Sequence, residues 1–280
     1  MLVLGISTSV LGVEVVAGLL TNSLALLADA GHVLTDVAGV TLALIAVWFG
    51  ARPVTERRSY GYQRLEILAA VANAVLLFGV AAFVLYHAWQ RLGAEPEILT
   101  GPMIAVAAIG LVANLVSAIL LHTAQQHSLN LRGAYLEVLG DALGSVAVLV
   151  AGVVIALTGL RAADAIAAAL IGLLIVPRTW YLLRDAVDVL LEATPRDVEI
   201  SHVRQHILDA PGVTDVHDLH VWSITSGVNV MSAHVVLREG AAPDAALDSL
   251  SACLSDHFDM QHSTFQLETA DRRRLEVAHG

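Results

Sequence analysis

The chain has 280 residues, 56% of them hydrophobic and only 15% charged, and its mean hydropathy is +0.71. Soluble domains are nearer a quarter charged, so the composition excludes an ordinary soluble protein and indicates a membrane one. Net charge is −11, with 14 acidic residues against 6 arginines after Leu191, a balance that argues against nucleic acid as a partner.

Met1 leads directly into an apolar helix, without a basic n-region or a small-residue cleavage site. That is the pattern of a first span and not of a cleaved signal, and so short a lead predicts a natural chain that begins further upstream. Six apolar segments follow, each near the ~20 residues a span requires. They run over Leu2–Leu20, Leu24–Phe49, Leu65–Trp89, Met103–His122, Ala134–Leu157 and Ala162–Leu183. Only Thr21-Asn22-Ser23 joins the first two, so these form a tight hairpin. The basic residues are all arginine. Arg52, Arg57, Arg58 and Arg64 lie between segments two and three, Arg132 between four and five, and Arg184 after six. The opposite side offers Arg91, balanced by Glu95 and Glu97, and Arg161. The positive-inside rule then places both termini in the cytoplasm.

After Pro195 the pattern becomes that of a soluble module. Asp197–Asp209 reads as an amphipathic helix closed by Pro211-Gly212. Val213–Ile224 and Val228–Leu237 alternate as strands around the turn Thr225-Ser226-Gly227. Pro243–His257 is a second helix, Ser263–Glu268 a last strand, and the tail from Arg272 is expected to fray. This αββαβ order is a small two-layer α+β module. Cys253 is the single cysteine, which excludes an intrachain disulfide and a thiolate zinc cluster; it reads as a small buried residue on the second helix.

Chemistry concentrates in two spacings inside the apolar segments, His32-x-x-x-Asp36 and Glu137-x-x-x-Asp141. Ionisable groups inside a span are costly and therefore functional by default. Residues i and i+4 share a helix face, so each pair directs two ligand-type groups one way. If the two helices face each other, four N/O ligands converge, which suits a tetrahedral divalent metal. A neutral imidazole and three carboxylates present about −3, so the empty cluster retains at least one proton, which metal entry displaces. That exchange is the physical core of metal/proton antiport. Asp29 either faces the same cavity or ends its helix at the interface. Glu14, Asn73 and Asn114 read as helix–helix hydrogen-bonding residues, and Gly140 and Gly144 as points of close backbone approach. In the soluble module, alternation puts His217 on one face of the first strand and Asp218 on the other. His217, His234 and Glu268 form either a second, peripheral metal site or structural contacts.

Several stretches resemble the cation diffusion facilitator family of divalent-metal exporters, its zinc-exporting subgroup most closely. They are Ser23–Asp36 (second helix), Tyr60–Glu66 (start of the third), Ser128–Asp141 (fifth), and Val216–Trp222 with Ser232–His234 (cytoplasmic domain). The resemblance implies a six-helix transport domain (residues 1–190), a ferredoxin-like cytoplasmic domain for dimerisation and regulation (191–271) and a tail (272–280). It implies a homodimer in the inner (plasma) membrane, surrounded by lipid, exporting zinc against protons by alternating access, with zinc also as a regulator. His32, Asp36 and Asp141 carry over as transport ligands. Glu137 stands where zinc exporters have histidine; it hardens the site and opens it to Co2+, Cd2+, Mn2+ or Fe2+. His217, His234 and Glu268 match cytoplasmic ligand positions, while a further one holds Gln261, beside His262. Arg58 and Tyr62 replace a His/Asp loop site of some members, and the segment 4–5 loop carries only His122 and His127. Arg64 is expected to meet an acid near Glu192 and tie the two domains. Enzymatic function is not expected, since no His-Glu-x-x-His motif occurs. The rival of another class is a membrane-anchored metal sensor, and a passive channel is disfavoured by so tight a site.

Overall fold

The computed structural model describes residues 2–94, 96–122, 129–258 and 260–275. Six long helices come first: α1 (Leu2–Thr21), α2 (Leu24–Gly50), α3 (Leu65–Arg91), α4 (Thr100–His122), α5 (Leu129–Thr158) and α6 (Ala162–Leu190). Then come α7 (Ile200–Leu208), β1 (Val213–Thr225), β2 (Val228–Leu237), α8 (Pro243–Phe258), β3 (Met260–Glu268) and α9 (Ala270–Leu275). Two compact units result, one of Met1–Ile45 with Ala69–Leu183 and one of Ala46–Leu68 with Arg184–Gly280.

In the first unit, α2 to α6 are long and apolar enough to cross a membrane, and α1 contributes a shorter apolar stretch, Gly5–Thr21. Leu20, Trp89, Ile119, Leu157 and Leu174 are exposed, an apolar outward face of the kind a membrane bundle presents. Its core is built largely from small residues, among them Ala25, Ala28, Ala81, Ala107 and Ala168. Small side chains let helices approach closely where no hydrophobic effect drives them together.

The α1–α2 hairpin turns at Asn22, whose φ of 57° is one that asparagine tolerates. Asp164, at the start of α6 and fully buried, closes this end of the bundle. Its carboxylate accepts from the Ser23 hydroxyl (2.6 Å), the Leu24 amide (2.7 Å) and the Ala25 amide (3.2 Å). These are amides of the first turn of α2, which have no partner within the helix. Arg91 is anchored at this end of the bundle. It donates to the Asn22 carbonyl (2.6 Å) and side chain (2.8 Å) and lies 3.8 Å from Asp164. Glu95 lies outside the described residues.

The second unit contains a three-stranded sheet in the order β1-β2-β3, β1 and β2 antiparallel, β2 and β3 parallel. Val203 and Ile207 of α7, and Leu250 and Leu254 of α8, pack with Met231 and Val235 of the sheet into one core. This is the expected two-layer α+β module. Its first helix starts later than the sequence predicts, because Glu199 is extended (φ −91°, ψ 111°). Strand β3 starts earlier, at Met260, paired with Asn229 of β2. Residues to Leu275 form α9 where a frayed tail is expected; the tail beyond lies outside the described residues.

Helix α6 continues to Leu190, past the end of its apolar run, with an Arg184–Asp188 pair (3.9 Å) supporting the extension. Arg196 folds back onto Asp185 (2.6 Å) and Asp188 (3.3 Å).

Asp164→Ala would strip the first turn of α2 of its acceptor and leave Arg91 short of a counter-charge. It is expected to destabilise the protein by about 3 kcal/mol. Thermal denaturation of the purified protein in detergent checks this, and Asp164→Asn should lose less because it still accepts from Ser23.

Candidate metal centre

Helices α2 and α5 bring together three of the four groups singled out in the spans. His32 Nδ1 lies 3.8 Å from Asp36 Oδ2, and His32 Nε2 lies 3.6 Å from Asp141 Oδ1. One ligand-type atom from each of the three falls within 4.8 Å of the others. These separations are too long for hydrogen bonds, and His32 Nδ1, Asp36 Oδ2 and Asp141 Oδ1 are buried without a partner. Two ligand atoms on a tetrahedral zinc-sized ion stand about 3.4 Å apart. The trio is therefore close to the spacing that a small cation requires, and its orphaned donor atoms fit one.

Glu137 lies at the edge of the trio, its carboxyl within hydrogen-bonding reach of Asp36. Its Oε1 accepts from Arg178 Nη2 at 2.8 Å. Arg178, on α6 directly after Pro177, is the site residue that reading the sequence passes over. The signal was a lone arginine inside an apolar segment, hidden because the segment also reads as a complete span. Asp29, His32, Asp36, Asn73, Glu137 and Arg178 line one cavity of about 310 Å³.

Asp29 faces this cavity and is not at a helix end. Ser145 of α5 donates to Asp29 Oδ2 (3.3 Å), and Asn114 of α4 donates to Ser145 (3.4 Å). Asn114 thus bridges helices as expected. Of Glu14 and Asn73, one atom each, Oε2 and Oδ1, is buried without a partner. The acids fit because glycines face them: a Cβ on Gly110 would stand 2.8 Å from Glu14 Oε1, and one on Gly144 would collide with Asp29 Oδ1. Gly140 lines the cavity, with nothing within 4 Å of where its Cβ would be.

A second cluster lies in the sheet. His217 and His234 are register partners on β1 and β2, their ring centroids 4.9 Å apart. Glu268 of β3 bridges them, with Oε2 3.1 Å from His217 Nε2 and Oε1 2.8 Å from His234 Nδ1. Asp218 joins on the same side, Oδ2 lying 3.3 Å from His217 Nδ1. Alternation assigns Asp218 to the opposite face. A bulge between His217 and His220, with Asp218 at φ 47°, re-aims it. His217, Asp218 and His234 each offer a ligand atom within 4.8 Å of the others. The side chain of Gln261 lies outside the described residues, and His262 stacks edge-on near Tyr60 at 6.3 Å.

Other singled-out residues fall as follows. Arg64 Nη2 meets Glu192 Oε1 at 2.8 Å, both exposed. Near them, Thr225 at the end of β1 donates to Glu66 in the first turn of α3 (2.6 Å), a contact the sequence does not signal. Arg58 donates to the Tyr62 hydroxyl (2.7 Å) and lies over its ring. His122 stands 5.9 Å from the Tyr135 ring, while His127 lies outside the described residues.

The profile of the cation efflux transmembrane domain matches residues 1–191, and that of the cation efflux protein cytoplasmic domain matches 195–270. The chain belongs to the cation efflux family. It is a multi-pass membrane transporter, not an enzyme. The metal cation efflux system protein CzcD of Cupriavidus metallidurans is 46% identical, over 95% of this chain and 84% of its own length. The zinc transporter ZitB of Escherichia coli is 41% identical, over 94% of this chain and 85% of its own. A cadmium, cobalt and zinc/H(+)-K(+) antiporter of Bacillus subtilis is 36% identical, over 92% of this chain and 84% of its own. A solved metal-bound C-terminal domain of the Cupriavidus CzcD transporter is 40% identical and covers 25% of this chain and 99% of its own, with a TM-score of 0.25.

Gly144 has the least room among the glycines of this transporter's spans. Gly144→Ala is expected to cost about 1–3 kcal/mol through overpacking against Asp29, read as a lowered melting temperature. Gly140→Ala, with open space at its Cβ, should leave the melting temperature near wild type.

Proposed function

We propose that this transporter exports a divalent metal, zinc first, from the cytoplasm in exchange for protons. The observation that carries the proposal is the convergence of His32, Asp36 and Asp141 within 4.8 Å, their facing atoms buried and unpartnered. A carboxylate pair and an imidazole in an apolar bundle hold either protons or a dication, and one displaces the other. Alternating access to such a site turns that competition into antiport. Glu137, one helical turn before Asp141, is the fourth ligand of this reading. Its oxygen favours harder metals, so cobalt, manganese and iron are alternative cargoes on that ground, with the softer cadmium a further one. The zinc, cadmium and cobalt in the names of the relatives are consistent with that range.

The remainder of the reading follows from family membership and the second cluster. Residues 1–190 act as the transport domain and 191–271 as a cytoplasmic domain that pairs two copies. The protein sits in the inner membrane with both termini in the cytoplasm. Metal at His217, His234 and Glu268 tightens the dimer and favours the inward-facing state. The Arg64–Glu192 pair acts as a clip between the domains, though an exposed pair contributes at most about 1 kcal/mol.

Proteoliposomes with an imposed pH gradient test the central proposal. Metal and proton fluxes measured together should be coupled in wild type and lost in Asp36→Ala. Glu137→His should shift preference toward zinc over manganese. Intact function in Asp36→Ala would instead favour a membrane-anchored sensor. For the regulatory step, spin labels on the two cytoplasmic domains should move closer when metal is added; unchanged distances would sink it.

A further inference from the structure

We infer, resting on the transport reading of the same cavity, that Arg178 is a tethered cation that competes with the metal for Glu137 and thereby sets the affinity and selectivity of the site. Glu137 and Asp141 are four apart on α5, so both carboxylates leave the same face of the helix. Asp141 is in the trio with His32 and Asp36, whereas Glu137 reaches Asp36 and is at the same time ion-paired with Arg178 at 2.8 Å. What distinguishes Glu137 is the guanidinium on α6, which holds its Oε1. Both partners line the same cavity as His32 and Asp36, so Glu137 can serve either cation with little backbone movement. Pro177, just before Arg178, removes the amide that would bond the Leu173 carbonyl and loosens the helix at that turn.

Charge accounts for the use of such a device. Three carboxylates around a neutral imidazole carry −3, and a dication bound there leaves −1 in an apolar surrounding. Arg178 brings the filled site to zero. A guanidinium also differs from a proton as a competitor, because it stays charged at every physiological pH and can only be displaced, not deprotonated. With Glu137 held aside, the metal meets one nitrogen and two carboxylates, with a coordination position left open. An exporter needs a site that releases its ion as well as captures it, and a ligand withheld by an internal cation weakens the capture. The withheld ligand is an oxygen, so its return should help hard, oxygen-preferring ions most.

The test is metal binding to the full chain in nanodiscs, by competition with a chelating dye, for Zn2+ and Mn2+. All variants carry His234→Ala, so that the sheet cluster does not mask the site. Arg178→Gln is expected to tighten Zn2+ about tenfold and Mn2+ more, while Arg178→Lys stays within about threefold of the parent. Glu137→Gln should weaken binding less than about threefold, and the Arg178→Gln/Glu137→Gln double variant should return to the Glu137→Gln value. Unchanged or weakened binding in a folded Arg178→Gln protein overturns the inference. So does a Glu137→Gln loss as large as that of Asp36→Ala, a comparison that needs no Arg178 variant to fold. If Asp36→Ala itself leaves binding unaltered, the transport site falls as well, which separates the two failures.

Discussion

An ionised side chain inside an apolar helix bundle costs several kcal/mol unless another group meets it, and the buried acids of α1 to α6 differ in how that cost is met. Asp164 is met in full: it takes three donors from the start of α2 and lies beside Arg91. It behaves as a structural charge, fixing the α1–α2 hairpin against α6. Asp29 is met in part, through Ser145 and behind it Asn114. Asp36 Oδ2 and Asp141 Oδ1 have only a histidine nearby at 3.6–3.8 Å, although the Asp36 carboxyl also meets Glu137. Glu14, with Oε2 also unpartnered, lies outside the trio; on the proposed reading the trio is where a mobile cation lowers the energy most.

Much of this was legible in the sequence for one physical reason. Inside a span, polarity is so rare that its spacing alone carries meaning, and i/i+4 places side chains on a face without any knowledge of tertiary structure. His32, Asp36 and Asp141 follow from that. Glu137 shows the limit of the argument, since spacing fixes the face but not which of two partners a flexible carboxylate chooses. Arg178 sits on a third helix whose orientation no periodicity reveals. Asp218 escaped for a different reason, as strand alternation holds only until a bulge inserts a residue. The extra length of α6 was hidden because hydropathy reports where lipid ends, while the helix continues on ion pairs such as Arg184–Asp188.

The two clusters of this transporter stand in different energetic positions. In the sheet, both nitrogens of His217 and one of His234 have carboxylate neighbours at 2.8–3.3 Å, and Glu268 uses both its oxygens. A metal arriving there must replace contacts already made, so part of its binding energy is spent on breaking them. In the membrane, the facing atoms of the trio have no hydrogen bonds to lose. Glu137 is the exception, since its Oε1 is already held by Arg178.

That asymmetry suits the division of labour expected of a regulated exporter. On the proposed regulatory reading, a cluster closed by its own hydrogen bonds would respond only when free metal rises enough to outcompete them, as a threshold sensor does. A cluster with unpartnered atoms and one ligand held in reserve loads readily with three groups, and its hold on the ion depends on whether the fourth joins. Glu137 and Asp141 share α5 while Arg178 stands on α6, so any shift between these helices changes which cation Glu137 serves. Movement of α6 toward Glu137 strengthens the arginine's claim and loosens the metal; movement away does the reverse. Binding strength is then tied to helix position, and a carrier needs that link if the state that captures its ion is to differ from the state that lets it go.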